Sequence, residues 1–230
     1  MSSINFIGGE KGGVGKSVTA RVLAQYFIDH SKPFTGFDTD RSHSSFTRFY
    51  EGFASPVVVD SFEGLDTVVN GFETNPQQSV IVDLAAQTLA PLARWIKESD
   101  LFDVFAEIGV TVNFWHVLDD GKDSTDLLGT LIDTFGNRPN YIVVQNYGRG
   151  SDFGMLLGSQ SLSKATANGA RVIALPRLHD ASMRKIDAQN TSFWKAVNDR
   201  DGPHALGLLE RQRVKSWLAT AYAAFDTLPL

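Results

Sequence analysis

"GGEKGGVGKS", residues 8–17, decides how the rest of the chain is read. It follows a short apolar run, INFIG (4–8), and leads into KSVTARVLAQYF, where Val18, Val22, Leu23 and Phe27 recur at helical spacing. A glycine-rich loop between a strand and a helix leaves free backbone N–H groups converging on one spot. The helix dipole adds roughly +0.5 charge there. Gly12, Gly13 and Gly15 carry no Cβ to keep the backbone from wrapping around phosphates. Lys16 would then reach the β- and γ-phosphates and Ser17 would set its hydroxyl on Mg²⁺, with Val14 and Val18 completing the cofactor-binding stretch.

The ordinary phosphate loop reads G-x-x-x-x-G-K-[ST]. Here Glu10 stands where its first glycine belongs, and a second lysine, Lys11, precedes Lys16 by five residues. K-G-G-V-G-K-S resembles the deviant Walker A box of the ParA/MinD family of ATPases, whose members segregate plasmids, place division sites or assist conjugation. The resemblance implies that ATP binding closes a homodimer and that Lys11 reaches across it to the partner's phosphates. A lysine is a flexible point charge able to neutralise a transferring phosphoryl group. The plainer alternative for Lys11 is a solvated loop cation.

Around the loop, apolar β-rich runs alternate with helical patterns. Strands are expected at 4–8, 33–38, 56–60, 79–85, 110–118, 141–146 and 171–176, and helices at 16–30, 42–51, 62–72, 88–107, 124–136, 153–167, 181–198 and 205–225. Strands apolar on both faces, each followed by a helix, predict an α/β fold: a mostly parallel central sheet with helices on both faces, as in ParA/MinD-like P-loop NTPases. In such sheets ligands sit beyond the carboxyl ends of the strands.

Composition narrows the class. In 230 residues, 43% hydrophobic, nothing resembles a linker, a repeat or a low-complexity run, so one P-loop ATPase domain over 1–230 is expected. No apolar run approaches the roughly 20 residues of a membrane span, and no signal-peptide pattern opens the chain. The absence of cysteine excludes disulfides and thiolate metal sites, and the five histidines lack metal-ligand spacing. A cytoplasmic protein without a membrane partner fits these features.

Hydrolysis needs a metal and a positioned water. FDTDRSH places Asp38 and Asp40 where the family's switch I reads D-x-D-P-Q. The resemblance implies that Asp40 orients or deprotonates the attacking water and that Asp38 helps fix Mg²⁺. Arg41 and Ser42 replace the usual Pro and Gln. Two helix-capping aspartates are the alternative. SVIVDLAAQ has the form of a Walker B strand, with Asp83 holding the metal through water. Ala85 and Ala86 stand where switch II has proline or glycine.

YIVVQNYGRG ends its strand with Asn146, a residue able to pair with adenine, as the family's asparagine does. ALPRLHD makes Pro176 and Arg177 candidates for the adenine wall. No N-K-x-D guanine signature follows Asn146, so ATP is favoured over GTP. Each of the two could instead be a turn or strand-end residue. HVLDDGKDSTDLL (116–128) reads as a loop followed by a helix capped by Ser124 or Asp123. Asp119 and Asp120 lie in that loop, solvated or facing a partner subunit.

Residues 1–170 carry 12 Lys/Arg against 20 Asp/Glu, whereas residues 171–230 carry 9 against 6. In ParA-like proteins basic residues of this last third bind DNA through its phosphates, a contact that needs only positive charge on one surface. Solvated helix faces are the alternative. In VKSWLATAYAAFDTLPL, Val214, Trp217, Leu218, Ala221, Tyr222 and Phe225 form one stripe with only Lys215 basic, the pattern of a core helix rather than a lipid anchor.

The expected function is a Mg-ATP-binding and hydrolysing dimeric switch, slow and stimulated by an unidentified protein partner, acting in DNA segregation, mobilisation or cargo positioning. The departures in both switches resemble the mobilisation and conjugal-transfer relatives of the TraL/VirC1 type. The alternatives are a nucleotide-dependent adaptor with little turnover, and an ATP-dependent ligase or kinase on the same scaffold.

Overall fold

The seven apolar runs become β1 (Ser3–Gly8), β2 (Phe34–Asp38), β3 (Ala54–Pro56), β4 (Ser79–Asp83), β5 (Thr111–Leu118), β6 (Asn140–Asn146) and β7 (Arg171–Leu175) in a computed structural model that describes residues 2–230. They form one sheet in the order β3-β2-β4-β1-β5-β6-β7, and every neighbouring pair runs parallel. The expected α/β fold with a parallel sheet is the one observed.

Among the described residues eight helices connect the strands, α1 (Lys16–Asp29), α2 (Ser45–Phe49), α3 (Phe62–Thr74), α4 (Leu89–Glu98), α5 (Leu101–Glu107), α6 (Lys122–Phe135), α7 (Gly154–Leu157) and α8 (Gln160–Ala167), and three follow β7, α9 (Asp180–Gln189), α10 (Phe193–Asn198) and α11 (Leu208–Phe225). Alternating strand residues feed two cores. Ile7, Ile81, Trp115 and Val144 pack with α1, α2, α10 and α11, whereas Phe6, Val82, Phe114 and Val143 pack with α3–α6 and α8. Burying each such side chain contributes roughly 1.5–3 kcal/mol. The stripe of α11 joins the first core, as its spacing predicts: Val214, Trp217, Leu218, Ala221 and Phe225 are buried and Tyr222 is half-buried.

Local polar groups redraw several expected boundaries. The third strand is Ala54–Pro56 rather than 56–60. After the ladder bond from Val57 N to Asp38 O, the carbonyl of Val58 runs so close to Gly64 that a Cβ there would stand 2.4 Å from it, and the chain must turn. The expected helix 88–107 breaks at Asp100, which takes φ +47°. Ser159 and Ser192 end two more expected helices by capping new ones, accepting hydrogen bonds from Leu162 N and Lys195 N. α2 is only five residues long. α6 starts at Lys122 behind an N-cap Gly121, not at Ser124 or Asp123, because the Ser124 hydroxyl donates to Asp119 instead.

The register sets up the site. Asp38 on β2 lies opposite Asp83 on β4, and Ile7 on β1 pairs with the same Asp83. The glycine loop therefore leaves the sheet beside two aspartates, at the strand flanked by β4 on one side and β5 on the other. Among the described residues no helix is long and apolar enough to cross a membrane.

Candidate nucleotide site

The glycine loop enters α1 through Gly15, whose φ of +101° lies in the left-handed region. Two glycines are fixed by close approach: a Cβ on Gly9 would stand 2.4 Å from Val117 O, and one on Gly15 2.1 Å from Asn146 Nδ2. Gly12 and Gly13 differ, because a Cβ on either meets nothing within 4 Å. The outer rim of the loop thus borders open space. Val14 turns into the core. The first turn of α1 has no side-chain cap and no acidic residue, which leaves its N–H groups and the positive end of its dipole available to that space.

The two lysines are held in different ways. Lys16 is buried and donates to Lys11 O at 2.9 Å. Burial lowers its pKa, opposed by the charges of Asp83, Glu10 and Asp40. Lys11 crosses to the end of β5, where its Nζ lies 2.8 Å from Asp119 Oδ2. Asp119 Oδ1 accepts from Gly121 N at 3.1 Å and from the Ser124 hydroxyl at 2.6 Å. Burial raises the Asp119 pKa, but the bonds from Lys11, Ser124 and Gly121 outweigh it and hold the carboxyl below its ordinary value. Residues 119–120 stay part-exposed, as a solvated loop would, yet are tied down, for Asp120 Oδ2 also accepts from Ser151 N at 2.8 Å.

Asp38 and Asp40 serve the loop that follows them. Asp38 is buried, and its Oδ2 accepts from Phe46 N and Thr47 N at 2.8 and 3.0 Å, anchoring the first turn of α2. Its Oδ1 accepts from Asp40 N at 3.0 Å. Asp40 Oδ1 takes the Ser42 and His43 N–H groups, and Oδ2 lies 3.1 Å from His43 Nδ1. Burial works to raise the Asp40 pKa, but these bonds lower it further, so the carboxylate stays ionised. Asp38 thus anchors the first turn of α2, and Asp40 closes the turn that precedes it.

Asp83 is the exception. It is buried beneath Ser17 and Lys16, behind the residues that line the cleft, and neither oxygen has a protein hydrogen-bond partner of normal geometry. Burial pushes its pKa up to about 8, against the pull of the nearby Ser17 hydroxyl and Lys16 ammonium. An orphaned carboxylate beside a serine hydroxyl fits Mg²⁺ held through water and phosphate, the usual mode for this ion. Among the described residues no group of three or more His, Cys, Asp or Glu could hold a metal ion by itself.

Two links escaped the sequence reading. Glu10 Oε1 accepts from Thr88 N and Leu89 N at 3.1 and 2.9 Å, so the residue that breaks the ordinary loop pattern caps α4. The Thr39 hydroxyl donates to Asp83 O at 3.1 Å and accepts from Ala85 N at 2.8 Å, tying the two switch segments together. The signal for the first was the misplaced acid itself. For the second there was none.

The cleft over the loop has a volume of about 520 Å³ and is lined by residues 12, 13 and 15–18, by Asp40, Ala85 and Ala86, and by Arg21, Arg149 and Asp187. Asn146 lies behind Gly15 rather than in this lining. Its Nδ2 donates to Val14 O at 2.7 Å and its Oδ1 accepts from Gly148 N at 2.9 Å, which fastens the end of β6 to the loop. Pro176 and Arg177 line a separate shallow hollow against α11, where Pro176 O accepts from Trp217 Nε1 and Arg177 pairs with Asp180. The structure thus gathers the loop, Asp40 and Asp83, and leaves Pro176 and Arg177 apart.

In the last third, Arg177, Lys185 and Lys195 pair with Asp180, Glu210 and Asp199. Arg184, Arg200, Arg211, Arg213 and Lys215 form no ion pair among the described residues.

No protein-family model matches the chain. In sequence it is similar to protein MobD of Acidithiobacillus ferrooxidans, 23% identical over 200 residues that cover 86% of this chain and 87% of the relative. It is likewise similar to protein TraL of Escherichia coli, 24% identical over 229 residues covering 94% and 93%. In structure it is similar to the MinD cell division protein of Aquifex aeolicus, with a TM-score of 0.54 at 15% identity over 96% of this chain and 97% of that one. Against the MinC:MinD cell division protein complex of the same organism the TM-score is 0.58 at 13% identity, over 99% and 98%. The fold is that of MinD, and the resemblance to ParA/MinD proteins of the TraL type agrees with both comparisons.

Proposed function

We propose that a chain with the MinD fold, a glycine loop open along its rim and a buried unpartnered carboxylate beneath it is a magnesium-dependent ATPase that works as a dimeric switch. The observation that carries this reading is Asp83, whose two oxygens have no protein partner and lie beside Ser17 and Lys16. A folded chain keeps such a group when something outside the protein completes it. Ser17 and Asp83 would hold Mg²⁺, with Asp38 at their side, and the ion would neutralise phosphate charge.

The chain's own groups do the rest. The N–H groups of the loop and of the first turn of α1 bind phosphate oxygens, and Lys16 turns from Lys11 O toward them. Asp40, ionised at the cleft wall, orients the attacking water. Lys11 leaves Asp119 and enters the partner protomer's site, closing the homodimer. Adenine lies against the loop that follows β6, from which Arg149 lines the cleft, whereas Asn146 braces that loop from behind and Pro176 and Arg177 stay in their separate hollow. The process is conjugal mobilisation or DNA segregation in the cytoplasm, a reading that the similarity to TraL favours over division-site placement. Basic side chains of the last third, Arg184, Arg200, Arg211, Arg213 and Lys215 among them, supply non-specific DNA contact, and a protein partner stimulates turnover.

Phosphate release measured with and without Mg²⁺ tests the reading. The wild type should hydrolyse ATP slowly and only with the metal, and Lys16→Ala should be inactive. Equal release by both proteins would refute it. A second reading, an adaptor that grips ATP with little turnover, is favoured by Asp40, whose carboxylate is engaged by Ser42 and His43. Single-turnover rates of Asp40→Asn separate the two, because an adaptor shows no dependence on that residue.

A further inference from the structure

Arg21 stands one turn below the phosphate loop. It lies four residues after Ser17 and three after Val18, so its side chain shares the strip of α1 that faces the cleft. The side chain is only 3% exposed. Its guanidinium lies over the Phe49 ring, 3.6 Å from the centroid, with Phe193 at 4.9 Å, which fixes the plane of the fork. Nη1 donates to Asp187 Oδ1 at 3.0 Å, while Nε and Nη2 are buried without any partner. Buried donors of a charged group are expensive to leave open. Asp187, by contrast, is 49% exposed, lines the same cleft, and has no protein partner on Oδ2 among the described residues.

We infer that Arg21 and Asp187 form a subsite for the ribose hydroxyls of the nucleotide, an inference that rests on the ATP reading and adds a sugar-recognising pair to it. Arg21 thus brings two donors without partners to the cleft wall, beside the open acceptor of Asp187. A phosphate would suit Arg21 but be repelled by the Asp187 carboxylate. A vicinal diol both accepts and donates and satisfies the two together, as carboxylates do at ribose elsewhere. The cleft extends past the loop to reach them, and its 520 Å³ exceed what phosphates alone need.

The test is calorimetric binding of ADP and 2′-deoxy-ADP with Mg²⁺ to the full chain, a readout independent of turnover. The wild type should prefer ADP by roughly ten- to a hundredfold, since a site built to pair a hydroxyl rejects the analogue lacking it. Asp187→Ala should bind both within about twofold of each other. Arg21→Met, similar in length and apolar, should melt close to the wild type, because the two buried donors without partners go together with the single bond to a part-exposed Asp187, yet lose the preference. Equal wild-type affinities, or a preference retained by Asp187→Ala, overturn the subsite while leaving the ATPase reading intact. Failure of both nucleotides to bind at all overturns that reading as well.

Discussion

The Lys11 ammonium and the Asp119 carboxylate of the same chain lie 2.8 Å apart, with side chains 33% and 20% exposed. If Lys11 serves a partner's phosphates, this pair must open when the dimer closes, so Asp119 competes with the partner for one cation. Asp119→Asn keeps an oxygen for Gly121 and Ser124 but removes the charge. The half-saturating ATP concentration for dimer formation should fall roughly two- to fivefold, the modest effect expected of a part-exposed ion pair. Sedimentation at graded ATP checks this. An unchanged midpoint would mean that the pair has no part in the switch.

Asp83→Asn replaces an unpartnered buried acid by a neutral side chain of the same shape. Because the folded-state pKa is raised to about 8, the folded chain binds the extra proton between about pH 4 and 8 and loses stability as pH rises through that window. The variant should be about 1–3 kcal/mol more stable than the wild type at pH 9 and close to it at pH 5. Denaturant titration at the two pH values reads this difference. Mg²⁺-dependent turnover should be lost in the same protein.

His116 is buried on β5, with Nε2 2.9 Å from Ser124 O, and burial lowers its pKa to about 4. Between pH 4 and 6.5 the unfolded chain binds the proton that the folded chain refuses, so stability falls as pH drops through this range. The contribution is up to about 3 kcal/mol. His116→Gln keeps a donor for Ser124 O and should flatten the stability profile below pH 6.5. A profile as steep as that of the wild type would place the acid sensitivity elsewhere.

Two glycines of one loop should respond in opposite ways. Gly15→Ala puts a Cβ 2.1 Å from Asn146 Nδ2 at a residue with φ +101°, so the fold should lose about 1–3 kcal/mol. Gly12→Ala meets nothing within 4 Å and should melt like the wild type, yet weaken ATP binding tenfold or more, because its methyl group would occupy space assigned to phosphate. Thermal melts and nucleotide titrations of the pair decide it. A cleft that tolerates the Gly12 methyl group would place the phosphates elsewhere.

What the sequence made legible was periodicity and spacing. The parallel sheet followed from seven runs apolar on both faces, though not the order of its strands, and the loop was readable because its glycines and lysines are contiguous. What it hid depends on contacts across long separations. Nothing near Lys11 in the chain announces Asp119, 108 residues away, and nothing near Arg21 announces Asp187. The start of α6 was misplaced because the Ser124 hydroxyl donates back to Asp119 rather than capping the helix. Asp38 and Asp40 were read as metal and water ligands, while their hydrogen bonds hold the start of α2 and the loop before it.

The mass of the protein in solution tests the central claim most directly. By light scattering with saturating ATP and Mg²⁺, the 25.2 kDa chain should run at about 50 kDa. It should return to the single-chain mass with ADP, and Lys11→Ala should remain single under every condition. A wild type that stays at 25.2 kDa with ATP, or a Lys11→Ala protein that doubles as readily, contradicts the account.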